Sequence, residues 1–192
     1  MKIKNSTSER SASFITFAVS FSSFYLFLLL QRLVVEVVSP SSFIPVYLPA
    51  GVLFVVILVG GVVGTFGVFC SLVPSYIMQN PNTYWLVVAG LVAFSMLIQI
   101  SVVKLTAWIT NVGPNLERLT HLKLIGFALV FSISHSLNHH LNLVVITKKN
   151  IGWAESRLAV STFLGVFCVL ALLWIVAKIT NHFSQSDNLI SL

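Results

Sequence analysis

Residues 49–78 read PAGVLFVVILVGGVVGTFGVFCSLVPSYIM, a stretch without one charged side chain. A helix crossing the ~30 Å hydrocarbon core of a bilayer needs about 20 apolar residues. The stretch is too long for one ordinary crossing and short for two. Pro49 suits the first turn of a helix, where a missing N–H costs nothing. Gly60 and Gly61 suit a tight bend. The expectation is two short helices, 49–60 and 62–78, with one long kinked helix as the alternative. Gly60 and Gly64 have GxxxG spacing, which lets helix backbones approach closely in lipid, and Ala50, Gly51 and Gly67 add further small positions.

The rest of the chain has the same character. Of its 192 residues, 57% are hydrophobic and 8% are charged, and the mean hydropathy is +0.96. A soluble domain carries about a quarter charged residues, so most of this surface does not face water. The net charge of +6 does not indicate nucleic acid, because Lys and Arg stand singly at the ends of apolar segments, where topology-setting charges belong. The partner that composition does name is the lipid bilayer. Cys70 and Cys168 lie inside apolar runs without metal-ligand spacing and are expected as small buried residues.

The fold class read from this pattern is all-α: a polytopic transmembrane helix bundle of six spans, with five as the alternative. Residues 1–12 form a cytoplasmic N-terminal tail, 13–180 the membrane domain, and 181–192 a polar C-terminal tail. Spans are expected over 13–35, 49–60, 62–78, 84–110, 122–146 and 158–179. The first is read as an uncleaved span, since no small-x-small cleavage site follows it. Near its end Arg32 and Glu36 share a helix face. Six spans put Lys2, Lys4, Arg10, Lys104, Arg118, Lys123 and Lys178 on one side and Lys148, Lys149 and Arg157 on the other, which favours a cytoplasmic N-terminus.

Residues 125–142, IGFALVFSISHSLNHHLN, carry the chemistry. At 100° per residue Ser132, His135, Ser136, His139 and Asn142 fall on one arc, with Asn138 at its edge. Polar groups are costly in hydrocarbon and face protein or a wet cavity, so this arc points into the bundle. It reads either as a hydrogen-bonded packing seam or as a polar pocket for a small-molecule ligand. Paired imidazoles four residues apart can share a metal, but a di-iron site needs several histidine boxes and a haem needs an opposed histidine. Neither pattern is present, so no metal and no cofactor is expected. The five acidic residues, Glu9, Glu36, Glu117, Glu155 and Asp187, all avoid mid-span positions, which argues against a proton- or sodium-coupled carrier. No nucleophile–base–orienter set and no phosphate-binding loop is visible.

Ser39-Pro, Pro45-Val-Tyr-Leu-Pro-Ala-Gly-Val, Gly60-Gly and Gly64-Thr-Phe-Gly-Val-Phe resemble the opening of the MASE1 integral membrane sensor domain. Leu116-Glu-Arg-Leu-Thr-His-Leu-Lys-Leu and Phe163-Leu-Gly-Val-Phe-Cys-Val-Leu resemble its later segments, except that Thr162 stands where the family carries an acid. The resemblance implies a bacterial inner-membrane sensory module, here without a fused output domain, whose signalling output would belong to a protein partner in the membrane. The chain is thus expected to be a non-catalytic sensor or accessory subunit. The alternative is the substrate-binding subunit of a transporter energised by separate ATPases.

Overall fold

The computed structural model describes residues 6–38, 46–79, 83–113, 116–147 and 158–175. These form α1 (Ser6–Val38), α2 (Leu48–Val55) running into a π-helical turn (Val56–Gly60), α3 (Gly61–Gln79), α4 (Trp85–Ile109), α5 (His121–Thr147) and α6 (Leu158–Ile175). Among the described residues there is no strand. Four stretches are long and apolar enough to cross a membrane: Ser8–Leu33, Leu48–Met78, Trp85–Ile109 and Leu158–Ile175. With 27 residues, α5 has the length for a crossing but not the same apolarity, because its polar arc dilutes it. The turn at Ser39-Pro40, the loop at 148–150, Arg157 and both expected tails beyond these bounds lie outside the described residues, as does the side chain of Glu36.

Leu48–Met78 does not run straight. Gly61 adopts φ 56° and ψ −146°, a conformation closed to residues with a Cβ. The chain reverses there, so that a Cβ on Gly64 would lie 3.0 Å from Cγ1 of Val56, eight positions earlier. The segment is therefore a helical hairpin, as the paired glycines indicate. The break at Gly61 puts Gly60 and Gly64, which have GxxxG spacing, on different limbs, although both lie beside Ser20 of α1. Gly60 makes only ordinary contacts at 3.6 Å, whereas Gly64 and Gly67 pack tightly on α1 against Ser20 and the Phe17 backbone.

Packing levels fix the helix directions. On α3, Gly67 meets Phe17 and Ser20 of α1, and Ser75 accepts a 3.0 Å bond from Arg32, so α1 and α3 run parallel. The first limb runs opposite, from the level of Gln31, whose Oε1 accepts the Leu48 N–H at 3.1 Å, to that of Thr16 and Ser20 beside Gly60. Leu48–Gly60 is about 20 Å long at 1.5 Å per residue, less than the ~30 Å core. Its turn lies well inside the apolar run of α1, and its flanks, Val59 and Val62, are exposed. The tip is therefore apolar and not covered by the rest of the bundle.

The other helices complete an alternating set. The Tyr47 N–H donates to the Ser161 carbonyl at 2.9 Å, and Gly51 lies against Gly165 and Val169, which sets α6 parallel to α2. The short 110–120 connection bends through positive φ at Asn111, Leu116 and Arg118 and returns α5 antiparallel to α4. Phe24, Phe54, Val68, Val92, Phe127, Phe131 and Val166 are among the buried core side chains. The cysteines are not core residues: Cys70 is half-buried and Cys168 exposed, on a helix whose outer face is apolar.

A Cβ at position 61 would meet nothing within 4 Å, so Gly61→Ala isolates the backbone term. It is expected to cost about 1–3 kcal/mol, read as a lower melting temperature in detergent. An unchanged temperature would mean that the turn relaxes freely.

Candidate binding site on the polar face of α5

Every third or fourth residue of α5 turns inward. Ser132, Ser136, Asn138 and Asn142 are buried and His135 and His139 half-buried, while Leu129, Ile133, Leu137 and Leu141 are exposed. All six arc residues therefore face the bundle, but they do different things. Ser132 Oγ donates to the Ala128 carbonyl of its own helix at 2.7 Å. Asn142 Nδ2 donates to Ser95 Oγ at 2.6 Å, and Asn138 Nδ2 to the Ser95 carbonyl at 3.2 Å. These two bonds join α5 to α4 and constitute a packing seam. Ser136 is buried on the same face.

The histidines occupy the other flank of the arc. His139 Nδ1 lies 3.1 Å from the Tyr76 hydroxyl of α3. His135 stacks on Tyr47 at 6.0 Å, on Phe131 at 5.7 Å and on His139 at 6.5 Å. Tyr47 is in turn fixed by its backbone bond to Ser161 of α6. Four helices thus meet at one column of rings.

Between this column and the seam lies a small cavity of about 30 Å³, faced by Tyr47, Tyr76, Gln99, His135, Asn138 and His139 among others. That is room for about two waters. Among the described residues, no charged side chain lines it. Gln99 is only 1% exposed, yet neither its Nε2 nor its Oε1 has a hydrogen-bond partner, and Asn138 Oδ1 has none either. A buried unpaired amide costs about 1–3 kcal/mol. The site therefore presents two acceptors and one donor group to whatever fills it. Among the described residues no three His, Cys, Asp or Glu side chains converge on a point that could hold a metal ion.

The sequence reading did not single out Tyr47, Tyr76, Ser95 or Gln99 as site residues. Gln99 could have been found, since a lone amide inside an apolar span is costly and normally faces the interior. Tyr47 and Tyr76 carry no such signal, because tyrosine is common at membrane interfaces. Of the small motif positions, Pro49 and Ala50 line the cavity. Gly51 instead allows the close approach of α6, and Gly60, Gly61, Gly64 and Gly67 belong to the hairpin and its contact with α1.

The fold and this site define a helical membrane protein with a small uncharged polar cavity in its interior. No protein-family model, no curated protein and no solved structure matches the chain.

Proposed function

We propose that the chain is a non-catalytic, MASE1-like sensory or regulatory module of a bacterial inner membrane. It binds an uncharged ligand at the polar face of α5 and works through a protein partner. The observation that carries this reading is the Gln99 amide, buried with both ends unpaired against a cavity. A purely structural seam would have satisfied that group or replaced it with an apolar one. In this reading α5 crosses the bilayer with the others. The hairpin counts as two of six segments and returns the chain to the side it entered from. Both termini then face the cytoplasm, in keeping with the excess of Lys and Arg assigned there.

The alternative of a transporter's substrate-binding subunit has one observation in its favour. The first limb of the hairpin begins inside the bundle with Pro49 and Ala50 at the cavity wall, and interrupted helices of this kind border substrate sites in transporters.

Native mass spectrometry of the protein extracted in mild detergent from its own membrane tests the proposal. A bound small molecule, lost in His139→Leu while the folded yield is kept, is the expected result. Loss of stability alone in that variant, with no bound molecule in the parent, would reduce the arc to a packing seam. A co-purified ATPase, in place of a kinase or cyclase, would favour the transporter reading.

A further inference from the structure

Asn138 stands in two walls at once. It lines the small cavity, and it lines a groove of about 380 Å³ between α4 and α5, whose other walls include Ile98, Val102, Ile133, Leu137 and Leu141. Ile133, Leu137 and Leu141 are exposed, so the groove opens on the outer, apolar surface of the bundle. The two spaces differ by an order of magnitude in volume, and only the cavity is faced by the unpaired Gln99 amide. The cavity can take two or three polar heavy atoms, and the groove a hydrocarbon chain. The cavity alone holds little more than two waters, so a larger ligand must extend beyond it.

We propose that the ligand of this site is an uncharged amphiphile taken from the bilayer. Its chain lies in the α4–α5 groove, and its head reaches past Asn138 to Gln99. The head is specified by the groups left unpaired. Gln99 Oε1 and Asn138 Oδ1 each need a donor, and Gln99 Nε2 needs an acceptor. A 1,2-diol or a primary amide supplies two donors and an acceptor in about the space of two waters. A carboxylate or phosphate head is disfavoured, because among the described residues the cavity has no cationic side chain to neutralise it. A bare alkyl chain would leave all three atoms unpaired. This inference rests on the proposed ligand-binding reading and adds the class of ligand and its route.

The test is photolabelling of the full chain in lipid nanodiscs. The probes are a 1,2-alkanediol and a primary alkanamide carrying a diazirine in the chain, compared with the methyl ester of the same chain. The expected result is labelling by the diol or the amide within 98–102 and 130–141, suppressed by excess unlabelled compound, with the ester labelling these positions weakly. Gln99→Leu should reduce the specific labelling roughly tenfold, the size of a lost buried hydrogen bond. It should also fold normally, because it removes unpaired polar atoms from the interior. Leu137→Trp, on the exposed wall of the groove, should reduce labelling without touching the cavity. Equal labelling by the ester, or labelling unchanged in Gln99→Leu, would mean that the groove holds lipid chains without recognising a head. If these probes fail while native mass spectrometry finds a bound water-soluble molecule, this inference falls and the ligand-binding reading stands. If both experiments find nothing, both fall.

Discussion

Gly165→Leu should leave almost no folded protein in a detergent extract. A Cβ at position 165 would run into the carbonyl group of Tyr47 and come within 3.2 Å of the Leu48 nitrogen. All of these atoms are backbone, so no rotamer change relieves the overlap. Nor can the backbone give way easily, because the Tyr47 N–H is bonded to Ser161 and the Leu48 N–H to Gln31. Overpacking a tight interior ordinarily costs about 1–3 kcal/mol. Here the insertion separates α2 from α6 and breaks both bonds, so the loss should exceed that range. Fluorescence-detected size exclusion after a heating series would show it as loss of the monodisperse peak. Gly90→Leu and Gly126→Leu are the matched controls. A Cβ at either position meets nothing within 4 Å, and both should melt within error of the parent. Comparable melting of Gly165→Leu and Gly90→Leu would refute the close α2–α6 approach.

The second large effect is expected for Gly67→Leu. Its Cβ would come to 2.7 Å from the Phe17 carbonyl oxygen and 3.1 Å from the Phe21 nitrogen. The helix crossing of α1 and α3 depends on this contact, because a small residue is what lets two backbones meet in lipid. A leucine here forces the helices apart and removes their dispersion contacts along the interface. A drop of about 2–4 kcal/mol is expected, at or slightly above the usual overpacking range. Gly64→Leu should cost less, since its nearest neighbours, Ser20 Oγ at 2.9 Å and Val56 Cγ1 at 3.0 Å, are side-chain atoms that can shift. Reversal of that order would show that α1 and α3 do not cross at Phe17.

Much of this architecture was legible in the residues because it depends on local composition. The near absence of charge defines a membrane chain, and Gly60-Gly61 marks the reversal because only glycine tolerates the conformation found at position 61. The inward direction of the α5 arc follows from 100° periodicity alone. What the sequence did not disclose depends on register between helices. No local pattern pairs Gly165 with Tyr47, separates Gly60 from Gly64 as packing positions, or places Gln99 opposite Asn138. The split of the arc into seam and cavity was hidden for the same reason. Asn142 is satisfied because Ser95 happens to stand at its level, whereas Gln99, four residues on, has no such neighbour. The exposure of Cys168 shows the limit of burial arguments in lipid, where an apolar side chain has no need to be inside.

The hairpin also sets an order of assembly. During synthesis, residues 48–78 would leave the ribosome as one continuous apolar run, long enough to be inserted as a single crossing. It can fold back at Gly61 only against a surface already in place, and α1, which precedes it in the chain and meets both Gly64 and Gly67, supplies one. The N-terminal start of the folded limb waits much longer. Its Tyr47 N–H is satisfied by Ser161, which emerges more than 100 residues later. Until α6 docks, an unsatisfied backbone group remains inside the nascent bundle at a cost of several kcal/mol. α6 therefore acts as a latch on the first limb of the hairpin, and a chain arrested before it would leave the Tyr47 N–H without the Ser161 carbonyl.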